Sequence, residues 1–232
     1  MVKNELVQRS PVRLFEKTIK GGLKAGEIGI LSAPKGIGKT SVLVQIALDK
    51  LLQGKKVIHI SFNQHANYVQ GWYGNIFEEI ARKKNLENER DVADELIQNR
   101  VLMNFNQEGV NSDVIRRSLK SMIVEGGFKA ETIIIDGFNF TTALRERIAT
   151  LKDFAKELGI SVWYSCDLVG SPAYDKHGIP TVIKDIEDLI DVIIALDPKT
   201  GSTELRVSKE RGSYNNSSVI HLDPKTLLIL ED

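Results

Sequence analysis

Residues 33–41 place two glycines, a lysine and two hydroxyl side chains within one short stretch. The residues are Ala33, Pro34, Lys35, Gly36, Ile37, Gly38, Lys39, Thr40 and Ser41. Glycines let the backbone turn and approach a phosphate group without a Cβ in the way, and the N–H groups at a helix N-terminus bind anions. Lys39 is expected to reach the β- and γ-phosphates of a nucleotide, and the Thr40 hydroxyl to hold Mg²⁺. The stretch predicts a phosphate-binding loop, with Ala33 where the first glycine of the pattern is usual.

A phosphate-binding loop requires a strand before it and a helix after it, and the sequence predicts both. Residues 27–32 form a short apolar run suited to a buried strand, and residues 40–53 carry apolar side chains at helical spacing. Gly54 then has the position of a helix C-terminal glycine. The order strand, loop, helix favours a phosphate-binding loop over an ordinary turn of glycine and proline.

Charge and composition exclude several classes of protein. Lys and Arg number 31, and Asp and Glu also number 31, so the generally basic surface of a nucleic-acid-binding protein is absent. No apolar stretch has the length of a membrane span, and the first residues lack the apolar core of a signal peptide. The single cysteine, Cys166, falls in a predicted buried strand and has no partner for an internal disulfide. We therefore expect a cytoplasmic protein that does not insert into a membrane.

Apolar runs and helical patterns alternate along the chain, which predicts a single domain over residues 1–232 with an α/β fold. The predicted strands are residues 28–31, 57–61, 101–104, 132–135, 161–165 and 192–196, and the predicted helices are residues 40–53, 66–84, 89–99, 112–125, 143–158 and 182–190. After residue 196 the pattern predicts strands at 204–210, 218–222 and 227–230, joined by turns. The expected architecture is a mostly parallel central sheet flanked by helices, with a C-terminal antiparallel extension.

A carboxylate at the end of one predicted strand is the second chemical motif. Residues 132–135 are apolar apart from Thr132, and Asp136 follows them directly. Ligands of open α/β sheets bind at the carboxyl ends of the strands. Asp136 is therefore expected to hold the Mg²⁺ ion and its water shell beside the nucleotide, together with Thr40.

Two flanking stretches extend the pattern and resemble one family. Residues 21–26 read Gly-Gly-Leu-Lys-Ala-Gly, and residues 207–213 read Val-Ser-Lys-Glu-Arg-Gly-Ser. Together with the loop and Asp136, they resemble the RecA-like P-loop ATPase superfamily, in particular its single-domain KaiC-like members. The resemblance covers nearly the whole chain. It implies a RecA-like fold, ATP and Mg²⁺ as ligands, and a homo-oligomeric ring or stack with ATP at each subunit interface.

The same resemblance implies a role for two cations near the end of the chain. In such assemblies the lysine and arginine of the terminal motif reach the γ-phosphate in the neighbouring subunit, and here they are Lys209 and Arg211. A cation supplied by a neighbour can stabilise the charge of a transferring phosphoryl group. The alternative is that both are exposed charges on an edge strand, paired with Glu204 or Glu210.

One position departs from the family pattern. A glutamate that activates the attacking water is usual after the next strand, whereas this chain has Asn63, Gln64 and His65 there. An amide cannot accept a proton as a carboxylate does, although Asn63 or Gln64 could orient a water. A histidine at such a place is more often a surface or capping residue than a base. The predicted catalytic set is Lys39, Asn63, Gln64, Lys209 and Arg211, with binding of ATP better supported than its rapid hydrolysis.

Asp167 stands where related ATPases carry a polar residue that senses the γ-phosphate. A carboxylate there repels a phosphate unless Mg²⁺ lies between them. A metal or relay role and a satisfied turn carboxylate are both compatible with the sequence.

These residues favour an ATP-dependent regulator or assembly factor with slow or impaired hydrolysis, acting on an unknown protein partner. The first alternative is an active ATPase that remodels a partner protein. The second is a recombinase-like ATPase that binds single-stranded DNA, for which Tyr174 and His177 in residues 169–180 could stack on bases. The balanced charge of that segment gives little counterion release, so nucleic acid is not favoured and a surface loop or subunit contact is preferred.

Overall fold

Eight strands form one sheet in the described part of the chain, and its first six members run parallel. The computed structural model describes residues 2–62, 65–106, 112–141, 145–214 and 219–230. The strands are β1 (Ile28–Pro34), β2 (Lys56–Ser61), β3 (Arg100–Asn104), β4 (Ala130–Asp136), β5 (Ser161–Leu168), β6 (Val192–Lys199), β7 (Ser202–Glu210) and β8 (Val219–Leu222).

The order of the strands brings the predicted site residues to one edge of the sheet. The order is β3-β2-β4-β5-β1-β6-β7-β8, with β7 antiparallel to both of its neighbours. Because β1, β2, β4 and β5 run parallel, their carboxyl ends lie at the same edge. The residues that follow β1 therefore lie close to the ends of β4 and β5.

Helices cover both faces of the sheet. One face packs against α1 (Lys3–Gln8), α2 (Val12–Thr18), α3 (Lys39–Leu52), α4 (Ala66–Lys84) and α5 (Glu89–Gln98). The other face packs against α6 (Ser112–Lys120), a short π-helix (Ser121–Glu125), α7 (Arg145–Leu158) and a 3₁₀-helix (Thr181–Leu189). No helix in the described ranges combines the length and apolar character needed to cross a lipid bilayer.

The alternation of side chains along each strand accounts for this two-sided core. Leu31 and Ala33 of β1 face α3, whereas Ile28 and Ile30 face the opposite helical layer. Strands buried on both faces are continuously apolar, as parallel sheets covered by helices require. Nearly every residue of α3 is buried, because this helix lies between the sheet and the outer helices.

The α/β architecture predicted from the sequence is confirmed, with differences at particular elements. The predicted strand at 227–230 is wrong, since Leu227 has φ +56° and only Ile229 bridges to Leu222. The helix predicted at 112–125 ends in a π-helical turn, and the one at 182–190 is a 3₁₀-helix. Helices α1 and α2 were not predicted, and they are only 6 and 7 residues long.

Candidate functional site

The predicted phosphate-binding loop connects β1 to α3 at the carboxyl edge of the sheet. Gly36 has φ +86° and Gly38 has φ +103°, a backbone region that glycine adopts at no steric cost. An added Cβ at Gly36 would meet no atom within 4 Å, so the glycine is required there by conformation and not by crowding. Helix α3 begins at Lys39, directly after the loop. Its first N–H groups and the loop therefore face the same cleft.

The Lys39 side chain is held across the loop. Its Nζ donates to the carbonyl oxygens of Ala33 (2.9 Å) and Pro34 (2.8 Å) and lies 2.8 Å from an Asp167 carboxylate oxygen. The side chain of Lys39 is 6% exposed. The ammonium group is thus placed in the cleft, and its charge is balanced by Asp167. The sequence left two interpretations of Asp167 open. The structure supports the second, because the Asp167 carboxylate forms an ion pair with Lys39.

A hydroxyl and a carboxylate lie side by side at the other side of the cleft. The Thr40 hydroxyl donates to one oxygen of Asp136 (2.8 Å), and the Ser165 hydroxyl donates to the other (2.5 Å). Asp136 is buried, and Ser165 also accepts from the Gly137 N–H (2.8 Å). Mg²⁺ beside a nucleotide is usually held by one or two protein oxygens, phosphates and waters. The Thr40–Asp136 pair fits that donor set, with Ser165 fixing the carboxylate.

The cleft has a volume of about 240 Å³ and two contrasting walls. Tyr68 and Trp72 of α4 form one wall, and their rings meet edge to face at 6.3 Å. Leu227 contributes to the other wall, while Ser61 and Asp167 line the cleft at the ends of β2 and β5. Neither Tyr68 nor Trp72 is among the site residues predicted from the sequence.

A segment from the end of the chain fixes the first turns of α3. The Leu227 carbonyl accepts from the Ser41 hydroxyl (3.0 Å) and from the Gln45 side-chain amide (2.8 Å). The Gln45 side-chain oxygen in turn accepts from the Ile229 N–H (2.8 Å). Gln45 is buried, so these bonds form out of contact with water. Gln45 could not be identified from sequence, since its partners are backbone atoms far along the chain.

Two of the predicted catalytic residues, Asn63 and Gln64, lie outside the described residues. Their neighbour His65 is exposed and precedes α4, and its side chain makes no capping hydrogen bond to that helix. This agrees with the interpretation of His65 as a surface residue.

Lys209 and Arg211 are bound within their own chain and lie far from the cleft. Lys209 is buried and donates to the Glu187 carbonyl (2.5 Å). Arg211 follows the end of β7 and donates to both oxygens of Glu27 (2.8 Å each) and to the Glu210 carboxylate (2.9 Å). Burial raises the pKa of Glu27, but the Arg211 and Lys24 hydrogen bonds outweigh it, so that pKa lies below its ordinary value.

The geometry corrects the alternative that these two residues are exposed charges on an edge strand. Lys209 is buried, and β7 lies between β6 and β8. Arg211 does pair with Glu210, as that alternative predicted. Glu27 and Arg211 lie at the amino end of β1, so about 20 Å of strand separates them from the loop at its carboxyl end. Lys209 and Arg211 therefore cannot reach the cleft of their own chain.

A buried histidine lies beneath the aromatic wall. His59 of β2 is fully buried, and its Nδ1 is 3.1 Å from the Tyr73 hydroxyl of α4. Its Nε2 has no hydrogen-bond partner in the described part of the chain. Burial lowers the pKa of His59 to about 4, with Asp136 opposing and Arg100 adding to the effect. The imidazole is therefore neutral at neutral pH.

Other aromatic side chains have packing roles. Phe138 and Phe140 form a cluster with Tyr164, with ring centroids 5.2 to 5.6 Å apart. His177 stacks on Tyr214 at 3.9 Å, so its ring already has a partner within the chain. Cys166 is buried as expected, and burial raises the pKa of its thiol to about 12.

Neither a scan against models of protein families nor a search of curated proteins finds a match for this chain.

Proposed function

We propose that the chain binds ATP together with Mg²⁺ in the cleft at the carboxyl edge of the sheet. The observation that carries the proposal is the convergence of the Lys39 ammonium group, the Thr40–Asp136 pair and the glycine loop on one cleft. Lys39 would bind the β- and γ-phosphates, and Thr40 and Asp136 would hold the metal ion. A P-loop NTPase would use such an arrangement. Strand β5 lies between β1 and β4, and Asp167 near its end lines the same cleft.

We also infer that hydrolysis is slow. Asp136 and Asp167 are the carboxylates that line the cleft in the described residues. Asp136 accepts hydrogen bonds from Thr40 and Ser165, and Asp167 pairs with Lys39. Neither is a free general base next to the phosphate position, and a missing base reduces the rate by about 100-fold to 10,000-fold. The proposed role is a RecA-like, ATP-dependent regulator or assembly factor.

Titration with MgATP tests the proposal directly. Trp72 lines the cleft and the other tryptophan, Trp163, is buried against Phe15. Saturable binding should therefore change the fluorescence of Trp72, and the change should be absent in Trp72→Phe although calorimetry still detects binding. Absence of heat and of fluorescence change in the wild-type protein would rule out the proposal. Phosphate release in the same samples separates slow hydrolysis from the alternative of an active ATPase.

Asp167→Asn is expected to tighten MgATP binding by about tenfold, because it removes a negative charge beside the phosphates and frees Lys39 from its ion pair. The dissociation constant from calorimetry measures the effect. Asp197→Asn is a matched control, since Asp197 pairs with Lys199 and does not line the cleft. Weaker binding by Asp167→Asn would instead indicate that Asp167 assists the metal ion.

We further propose that ATP promotes assembly of the chain into a ring or stack. Arg211 is partly exposed and lies at the edge of the sheet opposite to the cleft, so it could serve only the cleft of a neighbouring copy, whereas Lys209 is buried within its own chain. Such a head-to-tail interface joins two different surfaces, which is the geometry that generates rings and filaments.

Arg211→Gln is expected to abolish the increase in particle mass that MgATP causes in the wild-type protein, as measured by light scattering. The control is Glu27→Gln, which breaks the same ion pair but keeps the cation. If both variants are destabilised and both still assemble, Arg211 has only a structural role within its own chain. A wild-type mass that is unchanged by MgATP would refute nucleotide-dependent assembly.

A further inference from the structure

A second cavity lies on the opposite side of α4 from the cleft. It is a groove of about 460 Å³ between α4, α5 and the edge strand β3. Phe77 and Leu96 are among its apolar lining residues, and Asn67, Gln70 and Asn75 contribute side-chain amides. Pockets that bind small molecules have volumes of about 300 to 1,000 Å³ and are mostly apolar with a few polar groups. The groove has this size and this composition.

One cation in the groove has no anionic partner among the described residues. Arg100 is half-buried, and its guanidinium carbon lies 4.1 Å from the centroid of the Tyr73 ring. Within the described ranges its guanidinium makes no hydrogen bond and no ion pair, whereas Arg82, Arg145 and Arg211 each contact a carboxylate. A guanidinium presents five N–H donors, which match a carboxylate or a phosphate in pairs.

The groups around Arg100 do not supply the missing negative charge. Burial raises the pKa of the Tyr73 hydroxyl, which therefore stays protonated and donates or accepts at His59. His59 is neutral, since burial lowers its pKa to about 4. Burial also lowers the pKa of Arg100, although an arginine remains charged at neutral pH. The positive charge is thus partly withdrawn from water without a compensating anion, which is costly unless a ligand supplies one.

Two glycines keep the groove open. Gly71 and Gly74 lie one turn apart on α4, and both line the groove. A Cβ added at either position would meet no atom within 4 Å, so no close packing requires a glycine. A glycine inside a helix is less favourable than an alanine. Their presence maintains free volume beside Arg100 at the expense of helix stability.

We propose that this groove is a binding site for a small organic anion. A carboxylate or phosphate monoester of the ligand pairs with Arg100, and an apolar body lies against Phe77 and Leu96. The amides of Asn67, Gln70 and Asn75 offer both donors and acceptors to orient it. The site is separate from the ATP cleft, and its existence does not depend on the function proposed for that cleft.

Calorimetric titrations with benzoate, phenyl phosphate and neutral benzamide test this site. The wild-type protein should bind at least one of the two anions saturably, with benzamide at least about tenfold weaker. The preferred anion indicates whether the natural ligand carries a carboxylate or a phosphate. Lys39→Ala should leave this binding unchanged, which distinguishes the groove from the phosphate loop.

Arg100→Gln should weaken the binding of the preferred anion by at least about tenfold. Arg206→Gln is the matched control, because Arg206 pairs with Glu204 and Asp197 outside the groove. Gly74→Leu is a second variant that fills the groove, retains Arg100 and improves helix propensity, and it should also abolish binding. The proposal is overturned if neither anion binds the wild-type protein, or if Gly74→Leu binds both anions as the wild-type protein does.

Discussion

Lys39→Ala is expected to weaken MgATP binding by at least about 100-fold, which corresponds to about 3 kcal/mol. Hydrogen bonds to charged groups contribute about 1.5 to 3 kcal/mol each, and Lys39 can donate to two phosphates. The substitution also leaves Asp167 without its cation, since the two side chains lie 2.8 Å apart. An unpaired carboxylate in the cleft would repel the phosphates and add to the loss.

The dissociation constant is measured by calorimetry on the folded variant. Lys35→Ala is the matched control, because Lys35 belongs to the same loop and lines the same cleft but is exposed. A loss of only a few fold is expected there, as exposed charges interact weakly. The double variant Lys39→Ala with Asp167→Asn should recover part of the lost affinity. Binding of MgATP by Lys39→Ala with wild-type affinity would show that the nucleotide binds outside this cleft.

The second large effect is on stability as a function of pH. Between pH 6.5 and pH 4 we expect His59 to reduce the free energy of unfolding by about 3 kcal/mol. Burial lowers the pKa of His59 from 6.5 to about 4 in the folded chain. In this window the imidazole is protonated in the unfolded chain but neutral in the folded one. Protons therefore stabilise the unfolded state, and stability falls as the pH decreases until both states are protonated.

Urea unfolding of the wild-type protein and of His59→Gln at a series of pH values measures this contribution. The glutamine side chain can still bond to the Tyr73 hydroxyl but does not titrate, so the difference between the two proteins isolates His59 from the carboxylates. His221→Gln replaces a half-buried histidine of β8 and controls for the effect of a histidine-to-glutamine change elsewhere in the sheet. The expectation is contradicted if the free energy of unfolding changes with pH in the same way in the wild-type protein and in His59→Gln.

The parts of the fold that could be predicted are those whose signal is local. The continuous apolar runs of β1 and β4 and the helical spacing of α3 and α4 follow from neighbouring residues, and these elements are where the sequence places them. Residues 227–230 have the apolar content of a strand but turn at Leu227, whose φ is +56°. The Leu227 carbonyl bonds to Ser41 and Gln45, which is a tertiary contact without a local sequence pattern.

In the candidate site, too, only the residues with a local sequence signal could be predicted. The loop and Thr40 could be predicted from a local pattern of glycine, lysine and hydroxyl residues, and Asp136 from its place directly after an apolar strand. The support of Asp136 by Ser165 could not, since it depends on the register of β5 against its neighbours. The partners of Lys209 and Arg211 could not be predicted either. Lys209 bonds to the Glu187 carbonyl, 22 residues away in sequence, and Arg211 bonds to the Glu27 carboxylate, 184 residues away.

The bond from Ser41 to the Leu227 carbonyl has a consequence for biosynthesis. The two residues are 186 positions apart, so the loop helix leaves the ribosome long before the segment that fixes it. At a synthesis rate of about 5 to 20 residues per second the delay is roughly 10 to 40 s. During that interval Ser41 and Gln45 lack the Leu227 carbonyl as their hydrogen-bond partner. The first turns of α3 should therefore reach their final packing only after Leu227 has been synthesised.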